Sequence, residues 1–139
     1  MRSPIISFPI LLAAGSCSAA IAVIAGAFGA HALKTLLVPE SLTLFETGAR
    51  YQMYHALALV AVALAGMQEN MGRTKSFQIA GWLFILGTVF FSGSLYLLAL
   101  TDSRWLGMVT PFGGATLICG WVVLAWAALS GRGRPPDPV

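Results

Sequence analysis

Between Arg2 and Lys34 the chain reads Ser3-PIISFPILLAAGSCSAAIAVIAGAFGAHA-Leu33, with no lysine, arginine, aspartate or glutamate. A helix that crosses the hydrocarbon core of a membrane needs about 20 such residues at about 1.5 Å each. Arg2 followed by apolar residues, and the Leu12–Cys17 stretch, faintly resemble an export signal and a lipoprotein cleavage site. The run continues well past the roughly 7–15 apolar residues of a signal peptide, so it reads as a retained membrane helix. Three further uncharged runs follow: Tyr51–Gln68, Ser76–Thr101 and Trp105–Gly131. Helices satisfy their own backbone groups in lipid, so each run predicts a helix.

The expected architecture is an all-α integral membrane four-helix bundle in a single domain, residues 1–130. Its spans are predicted at 5–33, 51–68, 77–100 and 106–129, with an amphipathic segment at 40–50. Residues 131–139 carry three prolines and no apolar period, which predicts a flexible cytoplasmic tail. Composition agrees. The chain has 139 residues, 58% apolar and 9% charged, against roughly 45–50% and about 25% in soluble domains. So few charges could not cover that much apolar surface in water. A soluble domain, a disordered chain and a nucleic-acid-binding module are excluded; the net charge of +3 is scattered, with no basic run to follow a phosphate backbone.

Four crossings put both ends and the 68–75 connection on one side. That side holds Arg2, Arg73, Lys75, Arg132 and Arg134, against Lys34, Arg50 and Arg104 on the other. The positive-inside rule places both termini in the cytoplasm. In the 34–50 connection, Pro39-Glu40-Ser41 looks like a helix start, and Leu42, Phe45 and Ala49 recur at helical spacing. This stretch either lies in the outer interface or extends the second span as one helix. Glu46 and Arg50, four apart, can pair on one face.

Lipid tails are as apolar as leucine, so close backbone packing must hold the spans together. The first span offers Ser18, Ala22, Gly26 and Ala30 at four-residue intervals. This ridge is expected at the bundle centre or at a contact between subunits. In the third span Thr88, Ser92 and Tyr96 form a polar stripe, read as helix glue or as a solute path. Thr110-Pro111 either starts the fourth helix or kinks one begun at Trp105. Cys17 and Cys119 lack the spacing of a metal or redox pair and read as buried, inert thiols.

Ionisable residues within spans are candidate functional groups. Here they are His31, Glu46, Arg50 and His55, with Tyr51 and Gln52 beside them, and they are expected at the outer leaflet. Three readings stand: a hydrogen-bonded polar cap, a site for a lipid head group or small solute, and a bis-His haem or metal site on His31 and His55. No catalytic triad order, in-span carboxylate pair, phosphate loop or HExxH is present, so neither catalysis nor a cofactor is expected. The expected partners are membrane lipid and a second copy or another membrane protein.

Four segments, in order, resemble a known family: Gly26-Ala-Phe-Gly-Ala-His-Ala-Leu33, Tyr51-Gln-Met-Tyr-His-Ala-Leu-Ala-Leu59, Phe91-Ser-Gly-Ser-Leu-Tyr96, and Thr110-Pro-Phe-Gly-Gly114 followed by Gly120-Trp121. They are similar to bacterial inner-membrane proteins of domain of unknown function 423 (UPF 0382), which has a eukaryotic transmembrane relative. The resemblance implies four spans in the bacterial cytoplasmic membrane and no assigned activity. It also implies that His31, Gln52, His55, Ser92, Tyr96 and Pro111 lie in signature segments. The functional expectation is a non-catalytic interaction or amphiphile-binding component, with an oligomeric small-solute transporter as the alternative. Orientation is directly testable: green fluorescent protein fused after Val139 should fluoresce, and alkaline phosphatase fused there should be inactive. The reverse pattern would invert the topology.

Overall fold

The structure, a computed structural model, describes residues 8–68 and 74–130. Arg2, Arg73 and the 131–139 tail lie outside the described residues. Four long helices make up nearly everything else: α1 (Phe8–Ala30), α2 (Pro39–Gly66), α3 (Thr74–Thr101) and α4 (Thr110–Leu129). Among the described residues there is no strand. Each helix runs antiparallel to the next, and α1 packs on α2, α2 on α3 and α3 on α4. α1 and α4 barely meet, so the bundle is open between them. The stretches Phe8–Thr35, Lys75–Thr101 and Arg104–Leu129 are long and apolar enough to cross a membrane.

The chain from 40 to 50 and the span after it form one unbroken helix, α2. Val38 is extended, as suits a residue before proline, and Pro39 occupies the first turn, where its missing N–H costs nothing. Beyond it only Gly48 weakens the helix, and that glycine is needed. A Cβ there would stand 3.0 Å from the Tyr96 ring. α2 carries Glu40, Glu46, Arg50, Gln52 and His55 and is not among the three stretches apolar enough by composition. It lies between α1 and α3.

At the other end of α3, Asp102 adopts a left-handed φ of 51° and stops the helix. A short 3-10 helix, Arg104–Met108, then leads to α4. Pro111 therefore starts α4 rather than kinking it. Thr110 does not cap the helix; its hydroxyl meets Ser94 Oγ at 2.8 Å and pins α4 to α3.

The packing of α1 differs from the expected ridge. Its buried residues are Leu11, Gly15, Ala22 and Gly29, with Ser18 half-buried between them. Gly26 and Ala30 are exposed, and a Cβ added at Gly26 meets nothing within 4 Å. Four-residue steps advance about 40° around a helix, so a four-residue ridge turns away from a neighbour within three steps. Steps averaging 3.5 residues drift only about 20° per seven, and Gly15, Ala22 and Gly29 follow that course. At Gly15 an added Cβ would stand 3.0 Å from the Ala56 carbonyl.

Two apolar clusters fill the interior. Leu11, Leu59 and Ala63 join α1 to α2. Ala58, Val62, Phe77, Phe84 and Leu117 join α2, α3 and α4. At Gly113 α4 comes so close to α3 that a Cβ would strike the Phe91 backbone. Gly113→Ala should therefore lower unfolding free energy in detergent by about 1–3 kcal/mol. Gly26→Ala should cause no loss. Equal melting of the two variants would contradict this packing.

Candidate functional site

Gln52 and His55 are three residues apart on α2, close enough to share a face, and only 7% and 6% exposed. A carboxamide buried at that depth must find partners within the protein. Gln52 finds them on two helices. Its Nε2 donates to the Ser18 carbonyl at 3.1 Å and approaches Ser18 Oγ at 3.4 Å. Its Oε1 accepts from the Tyr96 hydroxyl at 2.7 Å. One amide thus ties α1 and α3 to α2.

His55 is held from both ring nitrogens. Nδ1 lies 2.7 Å from the Tyr51 carbonyl, and the Trp121 indole N–H donates to Nε2 at 3.2 Å. An indole nitrogen only donates, so Nε2 is the acceptor and Nδ1 carries the proton given to Tyr51. The ring is a neutral imidazole in a single tautomer. Phe84 stands 5.7 Å from it and 5.1 Å from Trp121, ring centre to ring centre.

These groups border a cavity of about 390 Å³ between α1, α2 and α3. Ser18, Gln52, His55, Thr88, Ser92 and Tyr96 contribute its polar lining, and the remaining walls are mostly apolar. Ser92 Oγ is buried and has no hydrogen-bond partner among the described residues. Across α2 lies a second cavity of about 580 Å³, lined by Tyr51, Tyr54, Phe91, Leu117 and Trp121, and again by His55. His55 is the one polar side chain common to the two linings.

The sequence divides these residues into an outer-leaflet group and a third-span stripe. The structure joins Gln52, His55, Thr88, Ser92 and Tyr96 in one site and changes its depth. Gln52 lies level with Ser18 near the middle of α1, and Thr88 is at the middle of α3. The site is at mid-height, not at the rim. The expected depth was counted from Arg50, but the helix begins eleven residues earlier, at Pro39.

His31 does not take part. It lies in the exposed turn after α1, sixteen residues beyond Gly15, which is level with Ala56. That separation is roughly 24 Å along the axis, whereas two nitrogens on one metal ion stand within about 4 Å. The bis-His reading therefore fails on geometry. Glu46 and Arg50 are exposed on another face of α2, and Tyr51 faces the second cavity rather than the first. Cys17 and Cys119 are exposed free thiols, contrary to the buried expectation, Cys17 on the α1 side of the first cavity.

Sequence reading missed the Trp121 donor and the Ser18 acceptor. Matching the midpoints of the first, third and fourth runs brings Ser18, Thr88 and Trp121 to nearly one depth; Gln52, the second residue of its run, joins them only because α2 begins at Pro39.

The comparisons with known proteins agree that this is a membrane protein. A family model described as "Protein of unknown function (DUF423)" matches residues 25–114. A UPF0382 membrane protein of Staphylococcus epidermidis is 46% identical over 121 residues, covering 86% of this chain and 94% of the relative. The UPF0382 membrane protein YwdK of Bacillus subtilis is 42% identical, covering 83% and 92%. The UPF0382 inner membrane protein YgdD of Escherichia coli is 38% identical, covering 86% and 88%. No solved structure matches. With a family model spanning more than half of it and relatives aligned along most of it, this four-helix membrane chain belongs to the DUF423 (UPF0382) family, whose molecular function is unknown.

Proposed function

We propose that the protein is a non-catalytic component of the bacterial cytoplasmic membrane that binds one small amphiphile in the cavity between α1, α2 and α3. The supporting observation is Ser92. Serines in lipid-embedded helices ordinarily return their hydroxyl to a carbonyl of the preceding turn. Ser94 does so, reaching the Phe91 carbonyl at 2.9 Å. Ser92, two residues away, is among the residues that line the cavity and keeps its Oγ buried and unpaired. An unmet buried hydroxyl costs about 1–3 kcal/mol, which a ligand hydroxyl or carbonyl would recover once the Ser92 side chain turns toward the cavity. Apolar walls with a few convergent polar groups suit a molecule with an apolar body and one hydrogen-bonding end. The location follows the Escherichia coli relative, named an inner membrane protein.

A second reading, passage of a small neutral solute, is favoured by the two cavities that share His55 as a wall. In that case Ser92→Leu should abolish glycerol-driven swelling of proteoliposomes.

Binding is tested by native mass spectrometry of the protein released from nanodiscs. The wild type should retain one amphiphile per copy, and Ser92→Leu, which narrows the cavity and removes its unpaired hydroxyl, should retain none. Equal retention, or an empty wild type, would sink the reading. Stability separates binding from architecture. Ser92→Ala removes no internal hydrogen bond and should not lower the melting temperature. Gln52→Leu removes the bonds to Ser18 and Tyr96 and should cost about 1–2 kcal/mol.

A further inference from the structure

Two opposite charges on α2 have no partner among the described residues. Glu46 and Arg50 are exposed, and among the described residues neither forms a hydrogen bond or an ion pair. With Ala22, Gly26 and Ala49 they line a shallow crevice of about 350 Å³ in the groove between α1 and α2. The depth of this crevice is set by α1. Gly29 is level with Glu46, since a Cβ on it would stand 3.6 Å from Glu46 Cγ. Arg50 lies one turn deeper and shares the crevice with Ala22, eight residues inside the end of α1 and so about 12 Å in. The charges therefore sit beside an apolar membrane-crossing helix, on a face that the chain's own helices leave open.

An arginine at the centre of a span costs about 2.5–3.5 kcal/mol by insertion scales, and such residues normally face protein or pair with one another. The crevice meets one condition for pairing. Ala22, Gly26 and Ala49 keep it low on one side, Met53 and Tyr54 bound its deeper end, and the outward space at Gly26 is empty to 4 Å. It is also self-complementary, with one anion and one cation a single turn apart. Consider a second copy in the same membrane orientation, related by a two-fold axis along the membrane normal. Both Glu46 residues then share one height, and both Arg50 residues lie one turn below. Both side chains lean toward the N-terminus of α2, and the arginine stem is the longer, so each Arg50 can climb to the level of the opposing Glu46. A single anionic head group would neutralise Arg50 and leave Glu46 unpaired, whereas a second copy satisfies both.

We propose that the Gly26–Glu46–Arg50 face is a homodimer interface within the membrane, closed by two reciprocal ion pairs between Glu46 of one copy and Arg50 of the other. The test is energy transfer between donor- and acceptor-labelled copies in phosphatidylcholine vesicles at increasing lipid dilution. Wild type should show transfer. Glu46→Arg alone and Arg50→Glu alone should each weaken association by about tenfold or more. A donor-labelled Glu46→Arg copy mixed with an acceptor-labelled Arg50→Glu copy should restore transfer, because two arginines then face two glutamates. Gly26→Leu leaves the charges intact and fills only the crevice, so it should abolish transfer while circular dichroism and melting stay those of the wild type. The proposal is overturned if the wild type is monomeric at every dilution, if either single charge reversal associates as well as the wild type, or if the folded mixed pair fails to associate. Transfer that appears only when phosphatidylglycerol is added would also overturn it, and would assign the crevice to an anionic head group.

Discussion

The amide of Gln52 is the constraint around which the interior is arranged. Lipid offers it no partner, so the protein must present an acceptor to its nitrogen and a donor to its oxygen. The Ser18 carbonyl lies on one neighbouring helix and the Tyr96 hydroxyl on the other. Meeting both fixes the sliding position of α1 and α3 against α2, and apolar contacts alone would do this weakly. His55 extends the same logic to the fourth helix through Trp121. Polar groups that look like an expense in a membrane thus set the register of all four helices.

Glycine makes that register reachable. Gly15 lets α1 approach the α2 backbone, Gly48 admits the Tyr96 ring, and Gly113 and Gly120 bring α4 against Phe91 and Phe84. The family segments pair these glycines with the polar groups they serve: Gly113 sits beside Thr110, and Gly120 beside Trp121. In water a large apolar area would drive such packing. In lipid the gain comes from close van der Waals contact and a few interhelical hydrogen bonds, each of modest size.

Much of this was legible in the residues. Long uncharged runs specify spans because their length and composition face a single solvent with a known thickness. Pro111 and Pro39 mark helix starts for a reason that needs no tertiary information. Depth and facing were harder to read. His55 looked peripheral because Arg50 looked like a border, yet nothing between Pro39 and Gly66 breaks the helix. Gly26 and Ala30 looked central because they continue a regular ridge, yet neighbours crossing at a shallow angle follow 3.5-residue steps. The partnership of His55 with Trp121 joins residues 66 positions apart and depends on both helices being placed.

The uneven distribution of neighbours has a mechanical consequence. α1 and α4 each run along one helix, while α2 and α3 each run along two. A pull on the N-terminal end would meet one seam of small residues and one amide, and a pull on α3 would meet two long interfaces together. The molecule has a stiff spine and two compliant edges, and the cavity lined by Ser92 opens at the seam between the spine and one of those edges. A displacement of α1 alone would therefore alter that cavity while leaving the contacts among α2, α3 and α4 in place.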